Sequence, residues 1–84
     1  MAKVVVYTTE NCGYCVAAKK LLQARTITFN EVLILESDDA AWEALVKKSG
    51  MRTFPQIFSG DELIGGFTEL DALDKKDKLK SLAV

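Results

Sequence analysis

A continuous run of β-branched and aromatic residues, Val4-Val5-Val6-Tyr7, leads through a polar turn into Cys12-Gly13-Tyr14-Cys15, which opens an amphipathic helix. That order constrains the fold more than any other feature of the chain. Lys3–Thr8 reads as a strand; apolar without alternation, it belongs inside a sheet covered on both faces. Thr8–Asn11 reads as the turn. Gly13 to Ala24 reads as a helix, with Ala17, Ala18, Leu21 and Leu22 on one face and Lys19, Lys20 and Gln23 on the wet one. The lysines fall toward its C-terminal half, as a helix dipole favours. A strand–helix–strand unit then makes its two strands parallel, through a right-handed crossover.

The second strand is expected over Ile27–Leu35, rich in Ile, Phe, Val and Leu. Ser37-Asp38-Asp39 supplies a cap and first-turn acids for a second helix, whose apolar face is Ala41, Trp42, Leu45 and Val46. Gly50 closes it. Gln56–Ser59 and Glu62–Gly65 form a hairpin around Gly60-Asp61. Thr68 is expected to cap a last helix carrying Leu70, Leu73, Leu79 and Leu82, with Asp74-Lys75-Lys76-Asp77-Lys78 solvated and marking a kink. The result is β-α-β-α-β-β-α: an α/β chain with a four-stranded mixed sheet flanked by three or more helices, which matches the thioredoxin fold. Residues 1–84 read as a single domain.

Composition narrows the chemistry. The 84 residues contain no histidine, which removes Ser–His–Asp triads, Cys–His dyads and His-ligated metals from the chain. Two cysteines cannot build a four-thiolate zinc site. A formal net charge of −1 offers no basic surface for nucleic acid. No apolar run approaches a membrane span, and Met1-Ala2-Lys3 lacks the shape of a signal peptide, so the expected location is the cytoplasm.

Cys12 sits where a central strand gives way to a helix N-terminus, among unpaired backbone N–H groups and at the positive end of the dipole. Both favour thiolate over thiol, and the thiolate is the nucleophile. Cys15, one turn on, lies on the same side and is expected to be more buried and less ionised. One sulfur attacks and the other resolves. A lone C-x-x-C also admits half of an intermolecular zinc site or two unrelated core cysteines; following a strand and opening a helix in a β-α-β unit, it favours redox chemistry.

With these residues in view the sequence closely resembles glutaredoxins, in particular the short bacterial dithiol type. The resemblance runs nearly end to end, through Val4–Thr8, Cys12-Gly13-Tyr14-Cys15, Lys19, Lys48-Ser49-Gly50, Thr53-Phe54-Pro55-Gln56-Ile57-Phe58 and Ile64-Gly65-Gly66. Tyrosine before the second cysteine is a glutaredoxin trait; thioredoxins carry glycine-proline between theirs. The resemblance implies that the loop Thr53-Phe54-Pro55 lies beside the redox pair with its proline cis. The Phe54 backbone would then pair with the cysteinyl part of glutathione like an added strand. It also implies a γ-glutamyl site at Gly66, Thr68 and Glu69, where a helix N-terminus meets a carboxylate and Glu69 meets the ammonium. Tyr14 forms a wall of this groove.

Three positions depart from the family. Thr9 stands where many relatives have a lysine that supports the thiolate and holds glutathione's glycyl carboxylate; Arg52 is expected to take over part of that contact. Gly13 stands where many have proline. Relatives lacking that proline can hold a [2Fe–2S] cluster between two subunits, which would take Cys12 of each copy and two glutathiones. Phe54 replaces the usual valine.

The resemblance therefore implies a glutathione-dependent thiol–disulfide oxidoreductase, monomeric as an enzyme, with Cys12 as nucleophile and Cys15 as resolving thiol. Glutathione is the co-substrate, and glutathionylated or disulfide-containing proteins are the partners. The alternatives are a [2Fe–2S] cluster carrier and a redoxin reduced by thioredoxin reductase; the match of Tyr14, Thr68 and Glu69 to a glutathione site argues against the latter.

Overall fold

The structure, a computed structural model, describes residues 4–76. Strands β1 (Val4–Thr8), β2 (Phe29–Leu33), β3 (Gln56–Ser59) and β4 (Glu62–Gly65) alternate with helices α1 (Gly13–Ala24), α2 (Asp39–Ser49) and α3 (Phe67–Lys75) in the expected order. The strands form one mixed sheet in the order β2-β1-β3-β4. β1 pairs parallel with β2 and antiparallel with β3, and β3 pairs antiparallel with β4. This is the thioredoxin fold. Lys3, Asp77, Lys78, Leu79 and Leu82 lie outside the described residues.

The interior position of β1 explains its composition. Val4 and Val6 face α1 and α3 in a cluster with Ala18, Leu22, Ile57 and Leu70. On the other face Tyr7 packs with Phe58, Ile34 and Leu45, against α2. A strand apolar on both faces satisfies two cores at once. Thr8 continues the Val4–Val6 face but is polar, and its hydroxyl donates to Glu31 Oε2 at 2.8 Å.

Three expectations need correction. β2 ends at Leu33 and begins at Phe29, shorter than the expected Ile27–Leu35. Ile27 and Ile34 are buried just beyond its ends, so their hydrophobicity reflects the core rather than the ladder. The cap of α3 is Gly66, not Thr68, which falls inside the helix. Glu69 Oε1 instead accepts the Gly66 N–H at 2.9 Å, so the acid three residues on does the capping. Asp74, expected in a solvated stretch, instead pairs with Arg25, just past α1. The lysines of α1 fall in its second half, as expected. Two further local signals act as read: Asp38 accepts the Ala41 N–H at 3.1 Å, and Gly50 closes α2 at φ 75°.

Candidate active site

Cys12 is the residue before α1, with extended backbone (φ −110°, ψ 104°), and its Sγ accepts the Cys15 N–H at 3.2 Å. A strand ending on one side and a helix starting on the other leave the sulfur among free N–H groups. Both cysteines are free thiols; Cys12 is half-buried and Cys15 is 2% exposed. Burial, reinforced by the hydrogen bond the thiol donates to Cys12, pushes Cys15 from 9.0 up to about 12. The Thr9 backbone and the Lys19 charge pull the other way without prevailing. The expected asymmetry between an accessible and a buried sulfur is present.

Two grooves meet at Cys12's side of the sheet. The larger, about 580 Å³, is lined by Cys12, Tyr14, Arg52, Thr53 and Phe54 and continues toward Leu35 and Trp42. The smaller, about 150 Å³, is lined by Tyr14, Thr53, Phe54, Pro55 and the start of α3 at Gly66, Thr68 and Glu69. They share Tyr14, Thr53 and Phe54, and so run on from one another. Every expected site residue except the buried Cys15 lines one or the other. The register of the sheet causes this. The β1–β3 ladder ends at Tyr7↔Gln56, so the chain before Gln56 and the chain after Tyr7 leave the sheet at the same edge. The Phe54–Pro55 peptide bond there is cis. A Cβ on Gly66 would lie 3.3 Å from the Pro55 carbonyl oxygen, so the α3 terminus abuts this loop.

Several contributors were not singled out from sequence. Gln56, fully buried, donates from Nε2 to the Met51 carbonyl at 3.1 Å and the Thr53 carbonyl at 2.9 Å. It thereby shapes the loop carrying Arg52. Trp42 stacks on Phe54 with ring centroids 5.0 Å apart, and Phe67 supports Tyr14 at 6.0 Å. On the far side of Cys12, Lys19 pairs with Glu31 at 2.9 Å beside a recess also lined by Cys15. The Lys19 hydrogen bond, then that from Thr8, holds the Glu31 carboxyl below its ordinary range. Lys19 and Gln56 stand in the motifs that carry the resemblance and Trp42 on the apolar face of α2, but none of the three had a site role from sequence.

Among the described residues no group of three or more His, Cys, Asp or Glu side chains could hold a metal. Among the described residues, no helix is long and apolar enough to cross a membrane.

The glutaredoxin family model matches residues 4–64. The chain belongs to the glutaredoxin family. It is similar to glutaredoxin 3 of Escherichia coli (strain K12), at 43% identity over 98% of each chain. It is 40% identical to a glutaredoxin of Pseudomonas aeruginosa, over 98% of this chain and 96% of the relative. Its fold superposes on a buckwheat glutaredoxin–glutathione complex with a TM-score of 0.87 at 32% identity, covering 96% of this chain and 76% of that one. The chain is accordingly a thiol–disulfide oxidoreductase, as glutaredoxins are.

Proposed function

We propose that this glutaredoxin reduces mixed disulfides of glutathione, with Cys12 as the attacking sulfur. The observation that carries the reading is the single path from the α3 N-terminus past Phe54 to Cys12 Sγ. It has a different chemistry at each station. The γ-glutamyl carboxylate meets the N-terminus of α3 around Thr68, and the cysteinyl backbone meets Phe54 beside Thr53 and Pro55. The glycyl carboxylate reaches Arg52, the cation lining that end of the groove. Glu69 faces the ammonium while capping Gly66. The similar buckwheat protein was solved with glutathione, which supports the assignment.

The Cys12 thiolate attacks the glutathione sulfur of the mixed disulfide. The substrate sulfur leaves with the bonding electron pair and takes a proton. The Cys12–glutathione disulfide is then attacked by a second glutathione thiolate, which yields oxidised glutathione and restores Cys12. The two electrons that reduce the substrate come from the two glutathiones. With a protein disulfide, Cys12 forms the mixed disulfide, Cys15 displaces the product, and two glutathiones reduce the Cys12–Cys15 bond. The Cys15 N–H held on Cys12 Sγ stabilises developing negative charge on that sulfur when it is the leaving group.

The experiment is glutathione-dependent turnover of a small glutathione mixed disulfide, coupled to glutathione reductase, with wild type and Cys12→Ser. Turnover by wild type and none by Cys12→Ser is expected. Absence of wild-type turnover, with reduction by thioredoxin reductase instead, would overturn the assignment.

A further inference from the structure

The larger groove exceeds what glutathione's glycyl end can fill. Glutathione bound as above ends at Arg52. Past that point the cavity, about 580 Å³ in all, runs on over Ile34, Leu35 and Trp42 and is lined by Glu10 and Glu36. Leu35 is 46% exposed at its edge. Glu10 and Glu36 are both exposed, and neither forms an ion pair among the described residues. Glu31, on the other flank of Cys12, differs: its carboxylate is already paired with Lys19.

Glutathione is an anion at neutral pH, with two carboxylates and one ammonium. The two carboxylates beyond Arg52 find no partner on glutathione, because its one ammonium is taken by Glu69. They suit a ligand of opposite charge, and the other half of a mixed disulfide is the part of the substrate still without a seat. We propose that the outer groove docks the protein half of the substrate. The occupant is an extended segment with an apolar side chain over Leu35 and Trp42 and a lysine or arginine beside Glu10 and Glu36. This rests on the glutathione reading above and adds to it a preference among glutathionylated proteins for cysteines in basic, apolar surroundings. The contribution is mainly to encounter and orientation, because exposed charges act at a distance and little once screened.

The test uses three substrates of the full chain. Two are glutathionylated peptides with one leucine in common and either basic or acidic flanks; the third is the mixed disulfide of glutathione and 2-mercaptoethanol. At low ionic strength the basic peptide is expected to exceed the acidic one in kcat/KM by about tenfold, falling toward parity in ~0.5 M salt. In the Glu10→Lys, Glu36→Lys double variant the order reverses; in the milder Glu10→Gln, Glu36→Gln pair the ratio collapses toward one. Equal turnover of the two peptides by wild type, or a preference unchanged by salt or by either variant, would overturn the docking proposal while leaving the small disulfide a substrate. Failure to turn over the small disulfide would overturn the glutathione reading and this proposal with it.

Discussion

The backbone N–H of Cys15 donates to Cys12 Sγ at 3.2 Å, so the contact does not depend on the Cys15 side chain. Cys15→Ser keeps the donor and loses the resolving sulfur. Its turnover of a glutathione mixed disulfide should stay within about threefold of wild type, while reduction of a protein disulfide should drop at least ~10-fold. Parallel assays on the two substrate types check this; equal loss on both would contradict the assigned roles.

The buried Cys15 thiol gives the fold an alkaline limb. Its folded-state value is raised from 9.0 to about 12, so above about pH 9 the unfolded chain loses a proton that the native chain keeps. The contribution is intact below that pH and declines as pH rises toward the folded value, with a slope up to roughly 1.4 kcal/mol per pH unit. Urea denaturation of the reduced protein between pH 8 and 10 should show stability falling more steeply in wild type than in Cys15→Ser.

Gly65 has φ 130°, and a Cβ built there would meet Glu69 Oε1 at 2.6 Å and Glu69 Cβ at 2.9 Å. Gly65→Ala must therefore strain the backbone and displace the side chain that caps Gly66. A loss of ~1–3 kcal/mol in denaturant unfolding is expected, together with a higher KM for glutathione.

Arg52 lines the larger groove beside Thr53 and Phe54, and in the proposed function it meets the glycyl carboxylate. Arg52→Ala should raise the KM for glutathione by about two- to fivefold with little change in kcat, as for an exposed ion pair lost from uniform binding. Steady-state kinetics with glutathione as the varied substrate reads this, and an unchanged KM would remove Arg52 from the site.

Trp42 stacks on Phe54 at 5.0 Å inside the larger groove, and it is the one tryptophan of the chain. Trapping glutathione on Cys12 in the Cys15→Ser variant covers Phe54, the ring partner of Trp42, and should shift the Trp42 emission to the blue. Phe54→Ala should abolish the shift. An emission spectrum of the reduced and trapped forms is sufficient.

Much of this was readable locally. β1, α1, α2 and the hairpin follow from runs of a few residues with their own caps and turns. The misreadings arose where a local signal served another purpose. Ile27 and Ile34 extend the hydrophobic run of β2 but fill the two cores rather than the ladder. Thr68 has a capping side chain, yet the helix begins earlier because Glu69 supplies the cap to Gly66. The wall formed by Trp42 and Phe54 was not readable, since the two residues lie in different elements and meet only in the folded chain.

By itself the sequence determined the order of elements, the cysteine at a helix start and the family it resembles, because strand runs, caps and cysteine spacing act over one or two turns of chain. Only the tertiary structure decided that Phe54, Arg52 and Gly66 gather around Cys12, and that Glu10 and Glu36 line the same groove. Those neighbours are set by the β2-β1-β3-β4 strand order and its register. Pairing between distant segments follows from burying both faces of β1 at once, a constraint on the whole sheet that no short window of sequence carries.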